Sequence, residues 1–335
     1  MHRLPIDAGL LPVQLYAATS GQPAAPLPRR RVSTDLGAVR VYVGPGAGPG
    51  SCCQTMAALA AALAPEHRLA PIGAAELQTA AWRHSTALLV FPGGRAGAYV
   101  AALGPAGAAQ IGAYVAAGGH YLGICCGAYL AAAQVDFAPS DPHLQIRASR
   151  PLGFYPGTCA GPRGGIFAYH NGIGARLEAL DLHAPQAFGG RTRGTTFCYG
   201  GGSFLAAAHH PQVTILATYA GTSLPRAAPR QGPDAGSNKG PEVDVAAAAA
   251  GNLAGDAAIV CCAVGRGMAI LSGVHPEVSA TCQPTDDSLA QLGPALQAAD
   301  SGRQAIWLGI LHLLQLQLQL QPNATVLCRG AHAGD

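Results

Sequence analysis

Charge is what this sequence has least of. Asp, Glu, Lys and Arg make up only 11% of its 335 residues, and the formal net charge is +3. The one compact basic cluster, Arg29-Arg30-Arg31, is too small for a nucleic-acid footprint. Long hydrophobic runs are also missing. The best stretch, Ala305 to Leu320, is broken by Gln315, Gln317 and Gln319 before it reaches the roughly 18 apolar residues a membrane span needs. No Cys-x-x-Cys or His-x-x-x-His spacing points to a metal, and ten cysteines are too few to scaffold a chain of this length with disulfides. Free thiols in a reducing compartment are therefore expected, with no metal and no cofactor. Residues 1–38 lack a secretory hydrophobic core. They are rich in Pro and Ala and read as a disordered tail or an organellar targeting segment. A cytoplasmic or organellar protein is expected, not a secreted one, with neither nucleic acid nor membrane as a partner.

Apolar residues make up 49% of the chain, and their order is informative. Val39 to Val43 is a β-branched strand, followed by the glycine loop Gly44–Gly50 and a helix to about Ala64, with Ser51 placed to cap it. Arg68–Ile72 reads as a second strand and Ala74–Ala81 as a short helix. Ala87–Phe91 is a continuous apolar run of the kind covered on both faces, ending at Pro92-Gly93-Gly94. A helix over 105–117 leads into the next strand. Strands alternating with helices predict an α/β fold with a doubly wound, mostly parallel sheet. From 143 to 221 short β-like pieces separated by glycines predict an antiparallel extension. Thr222 to Asp256 collapses to Pro, Gly and Ala and reads as a low-complexity insertion. A hairpin then runs from Ala257 to Val274, and Trp307–Leu314 is a closing helix before an alternating Leu-Gln tract. One domain over 39–320 follows from this, with 321–335 as a tail.

Two short motifs carry chemistry. Gly123-x-Cys125-x-Gly127 sits between a strand and an Ala/Leu-rich helix start, the context of a nucleophile elbow. There a helix N-terminus favours a thiolate, and the N–H of Cys126 faces an oxyanion while its thiol turns away. His275 and Glu277 are two apart at the end of the late hairpin. If strand geometry persists they point the same way, so that Glu277 orients the imidazole that deprotonates Cys125. Either string alone is weak, since a buried Cys is commonly just a small hydrophobe. The Gly44–Gly50 loop lacks the endings of a P-loop or a dinucleotide loop. His120 reads as part of the elbow strand and His209-His210 as a solvated turn.

The order of these motifs resembles class I glutamine amidotransferases, in which a Gly-x-Cys-x-Gly elbow is completed by a late His-x-Glu pair. The closer resemblance is to the amidotransferase-like N-terminal domain of eukaryotic biotin-protein ligases. It is carried by Val43-Gly44-Pro45-Gly46, Phe91-Pro92-Gly93-Gly94, Gly119 to Tyr129, Phe154 to Cys159, Gly174-Ala175-Arg176, Tyr199-Gly200-Gly201-Gly202 and Gly273 to Glu277. The resemblance implies a flavodoxin-like layering and a triad of Cys125, His275 and Glu277. It also implies an oxyanion hole at Gly93, Gly94 and Cys126, and a pocket bordered by Tyr199, Gly200 and Gly201. A small-molecule amide or a partner protein is the implied ligand. Two departures stand out: the sequence contains no Gly-Arg-Gly-Arg loop of a ligase catalytic domain, and Ala128-Tyr129 stands where many glutaminases carry Gln. The expectation is a stand-alone domain without ligase activity, acting on an amide through a thioester. The alternatives are a non-catalytic regulatory or binding module and, more distantly, a deglycase-type relative.

Overall fold

The structure, a computed structural model, describes residues 36–138, 140–164, 167–169, 172–221, 254–280 and 291–319. Among the described residues thirteen strands form one sheet. In chain order they are β1 (Ala38–Tyr42), β2 (Arg68–Ile72), β3 (Thr86–Phe91), β4 (His120–Ile124), β5 (Ala132–Phe137), β6 (Ile146–Ser149) and β7 (Tyr155–Gly161), then β8 (Arg176–Leu182), β9 (Arg193–Cys198), β10 (Ser203–Phe204), β11 (Val213–Tyr219), β12 (Ala257–Val264) and β13 (Gly267–Ser272). Among the described residues the α-helices are α1 (Pro49–Ala62), α2 (Ala74–Leu77), α3 (Ala96–Ala116), α4 (Cys126–Ala131) and α5 (Gly293–Leu313).

The spatial order is β2-β1-β3-β4-β13-β12-β10-β7-β5-β6, with β11, β8 and β9 branching from β12. Its first five strands are parallel. Beyond β13 the pairings are antiparallel, apart from β5 on β7. An α/β sheet with a parallel block and an antiparallel extension is therefore what the chain forms. Because side chains alternate along a strand, the apolar run of β3 feeds two hydrophobic clusters. Leu88 and Val90 join Val39, Val41 and Leu122 with Leu59 of α1 and Ile306 and Ile310 of α5. Leu89 and Phe91 join Tyr121 with Tyr99, Leu103 and Ile111 of α3. No helix of the described residues is long and apolar enough to cross a membrane.

Several local expectations are corrected. Gly48, not Ser51, caps α1; Pro49 occupies the first helical position, where its missing N–H costs nothing, and Ser51 sits inside the first turn. Helix α3 starts nine residues before Pro105 and passes it with a kink at Gly104, whose φ of 57° keeps the residue before proline out of the helical region. The elbow helix is only one and a half turns long, because Ala132 already enters β5. The alternating Leu-Gln tract docks beside the end of α1. Ala64 N donates to Gln317 O at 3.0 Å, Gln319 N donates to Ala62 O at 2.9 Å, and Leu316 is buried.

Residues 222–253, most of the stretch read as an insertion, lie outside the described residues. Its last three residues do not belong with it. Gly255 N donates to Tyr219 O at 2.9 Å, and Asp256 accepts from the Arg163 guanidinium at 2.8 Å. The two ends of the stretch meet, since a Cβ on Gly221 would lie 2.7 Å from that of Ala254. A linker of a few Gly and Ser residues can therefore close the gap. Replacing 222–253 while keeping Asp256 is expected to leave the melting temperature unchanged or slightly raised, because a shorter loop costs about 0.6 kcal/mol less per halving. A thermal melt that drops sharply would show that the segment packs.

Candidate active site

The parallel pairing of β4 with β13 brings together two motifs that lie far apart in sequence. Ile124 is in register with Ser272, and Cys125 N donates to Ser272 O at 2.7 Å. Cys125 leaves β4 with φ 50° and ψ −99°, a conformation that L-residues avoid and that aims a side chain out of a cramped strand–helix turn. The flanking glycines are sterically required there. A Cβ on Gly123 would come within 2.5 Å of Gly127 O, and one on Gly127 within 2.1 Å of Phe91 O. The Cys125 thiol is buried and lies 3.5 Å from the carbonyl oxygen of Tyr199, to which it donates.

His275 Nδ1 is 2.8 Å from Glu277 Oε1. The pair is not closed by strand alternation, as its spacing suggested. β13 ends at Ser272, and a turn in which Val278 N donates to His275 O at 3.2 Å folds Glu277 back onto the ring. Ser272 Oγ donates to Val274 O at 2.7 Å and so helps to shape this turn. Glu277 is fully buried, so it backs the imidazole rather than facing the cleft. Burial opposes protonation of His275, but the Glu277 carboxylate, together with Cys125, outweighs it and holds the imidazole well above its ordinary value of 6.5. The other ring nitrogen, Nε2, is buried with no hydrogen-bond partner.

Cys125 and His275 open into one cavity of about 920 Å³. One side is made by the loop before α1 and by Gly93-Gly94, which interlock: Gly48 N donates to Gly93 O at 3.0 Å, and a Cβ on Gly94 would overlap Gly46 O at 1.9 Å. Gly93 is wedged between Ser51 Oγ and the His275 ring, 2.9 Å and 3.2 Å from where its Cβ would be. Cys126 opens α4, so its N–H is one of those the helix leaves unbonded. Its thiol lies beside the Gly94 N–H, and burial pushes it well above the ordinary thiol value. An aromatic wall of Tyr129, Phe167, Tyr169, Phe197 and Tyr199 faces these loops. Tyr199 and Gly200 line the cavity, whereas Gly201 packs behind it, where a Cβ would meet Gly273 O at 1.7 Å.

A family model described as the N-terminal part of biotin-protein ligase matches residues 37–329. The chain belongs to that family. A curated relative, the biotin–protein ligase of Schizosaccharomyces pombe, is 32% identical over 249 residues, which are 74% of this chain and 34% of the relative. The chain thus spans about a third of the length of the curated relative it matches. Among solved structures, PurLQS from Thermotoga maritima aligns with a TM-score of 0.44 at 15% identity, over 83% of this chain and 99% of that one. The exo-beta-1,4-mannosidase of Opitutaceae bacterium strain TAV5 aligns at 0.40 and 11%, over 84% of this chain and 36% of that one. Neither likeness bears on function.

In this biotin-protein ligase N-terminal domain, two residues near the site escaped sequence reasoning. Arg303 is buried, is paired with Asp300 at 2.8 Å, and donates from its guanidinium to Pro276 O at 2.6 Å, clamping the His-Pro-Glu turn from α5. Arg150 follows β6 and lines the cavity. Each is an isolated arginine with no neighbouring motif, so only the fold reveals it. Two other histidines have structural roles. His120 Nδ1 lies 2.7 Å from Leu314 O, and the His210 ring packs edge-on against Tyr155 at 5.5 Å. Eight cysteines of the described residues are free thiols, and those residues hold no cluster of three or more metal-ligating side chains.

Proposed function

We propose that this domain is a cysteine-dependent amide hydrolase of the amidotransferase type, with Cys125 as nucleophile, His275 as base and acid, and Glu277 as the group that orients His275. We infer with it the doubly wound, amidotransferase-like layering, which the two hydrophobic clusters around the parallel strands support. The observation that carries the reading is the β4–β13 register. It sets a strained cysteine and a carboxylate-backed histidine at the head of one cavity.

In this mechanism His275 Nε2 takes the proton of Cys125, and the imidazolium is stabilised by Glu277. The thiolate attacks the amide carbon. The carbonyl oxygen becomes an oxyanion, held by backbone N–H groups of Gly93, Gly94 and Cys126. As the C–N bond breaks, the imidazolium returns its proton to the leaving nitrogen and a thioester remains. Water, deprotonated by His275, attacks that thioester. The acid is released and the thiol restored. The partner of the reaction is a small-molecule amide. A nearby protein that uses the released amine is a further partner this reading allows.

An electrophilic analogue of an amide substrate, such as a glutamine chloroketone, is expected to label Cys125 of the pure protein. Cys125→Ser should abolish that labelling, and Cys126→Ser should leave it in place, as read by peptide mass spectrometry. One observation favours a second reading as a binding or regulatory module: the thiol donates to Tyr199 O while His275 Nε2 has no partner. A Cys125 that labels no faster than an ordinary thiol would select that module.

A further inference from the structure

The Glu277 carboxylate is fully buried and accepts one side-chain hydrogen bond, through Oε1 from His275 Nδ1 at 2.8 Å. Among the described residues Oε2 has no partner. The ring that the carboxylate orients is thus its one side-chain tie, and its placement has to come from the backbone of the turn. Before the turn, His275 N donates to Phe197 O at 2.7 Å, and Ser272 Oγ donates to Val274 O. Between His275 and Glu277 the tie is Pro276 O, which accepts from Arg303 Nη1 at 2.6 Å. Proline brings no N–H of its own to that peptide. Arg303 is buried, and its Nε donates to Asp300 Oδ1 at 2.8 Å, one turn earlier on α5. One arm of the planar fork is therefore anchored on the helix while the other holds the turn, a fixed geometry that an ammonium does not offer. Leu292 and Leu296 near the start of α5 share a small core with Phe197 and Val278, so the helix grips the turn at a second place. Arg303 is not among the residues that line the cavity.

We propose that Arg303 is a positioning residue of the triad: by holding the Pro276 carbonyl it sets Glu277 Oε1 on His275 Nδ1 and so readies Nε2 to take the Cys125 proton. The proposal rests on the reading of Cys125, His275 and Glu277 as a triad, and adds to it a residue that touches none of the reacting atoms. The expected effect is large for so remote a side chain, because a catalytic group misplaced by about 1 Å can cost about a hundredfold in rate. A Pro276 carbonyl released from Arg303 would be a buried acceptor without its donor, and the peptide would turn to find another. Glu277, joined to that peptide, would move with it.

The test is the rate at which iodoacetamide modifies Cys125 as a function of pH, quantified by peptide mass spectrometry. The buried Cys261 in the same digest reports whether the fold has opened. The wild-type profile is expected to have its midpoint below the ordinary thiol value of about 8.5. Arg303→Met should move that midpoint up by about one pH unit and lower the neutral rate about tenfold. At high pH, where any thiol is ionised, the two rates should agree. Arg303→Lys still reaches one of the two acceptors and should recover part of the loss; no recovery counts against the proposal. In the Glu277→Gln background Arg303→Met should cost nothing further, because the two residues act in one chain. A second loss of the same size there overturns the proposal. So does an Arg303→Met profile that matches the wild type, whatever the thermal melt, and the triad then stands without Arg303. A wild-type midpoint at the ordinary value sinks the triad reading, and the proposal falls with it. Should Cys261 become labelled in Arg303→Met, Asp300→Ala carries the comparison. It frees Nε from the more exposed side of the pair, so the midpoint should rise by less, and an unmoved midpoint overturns the proposal.

Discussion

Gly127→Ala is expected to destabilise the domain by about 3 kcal/mol or more, the upper range for overpacking a filled site. In a domain of this size that lowers the melting temperature by roughly 6 °C or more. The new methyl would sit 2.1 Å from Phe91 O and 2.8 Å from Phe91 C. These are backbone atoms of β3, which is paired on both sides within the parallel block and cannot swing aside as a side chain would. The same change at Gly97, in the first turn of α3, meets nothing within 4 Å and serves as the control. There alanine is the better helix former, and the melt should be unchanged or slightly higher. Differential scanning calorimetry of both variants decides the matter. A Gly127→Ala protein that melts with the wild type would mean the elbow is not packed against β3 as described. The strain at Cys125 would then lose its structural support.

The strands of the parallel block were legible because their information is local. A β-branched or continuous apolar run announces a buried strand wherever it lies, and β1, β2 and β3 lie within one residue of where the residues place them. The elbow was legible for the same reason, since glycine, cysteine and glycine within five residues already specify a cramped turn. The neighbourhood of the elbow was not. Nothing in residues 257–277 says that their second strand lies beside β4. That pairing is a long-range choice made by the whole sheet, and it alone turns two weak strings into one site. Arg150 and Arg303 were illegible because a single charged residue carries no period. The Leu-Gln tract is repetitive in composition, yet its spacing of two is that of an extended segment, and that is how it docks along residues 62–64. The turn at His275–Val278 shows the opposite hazard, since the expected contact forms through a different backbone geometry from the one that motivated it.

Glu277→Gln is the substitution that most sharply separates a working triad from a structural relic. In the wild type the carboxylate accepts from His275 Nδ1 at 2.8 Å and holds the imidazole well above 6.5. A folded-state value raised in this way contributes stability that is complete below the unfolded value of about 6.5. That contribution is lost as the pH rises through the folded value. Wild-type melting temperature should therefore decline from near-neutral to alkaline pH, and the decline should flatten in Glu277→Gln, where no charge sustains the imidazolium. Gln keeps the volume and one hydrogen bond, so the turn held by Ser272 and Arg303 should persist. Its amide can also donate to Nδ1, which places the ring proton on Nε2 and removes the base that Cys125 needs. Iodoacetamide labelling of Cys125 at neutral pH should then fall about tenfold or more. If the rate is unchanged while the melting temperature drops at every pH, Glu277 serves the fold alone. In that case the unpartnered Nε2 and the Tyr199-bound thiol are the resting geometry of a binding module.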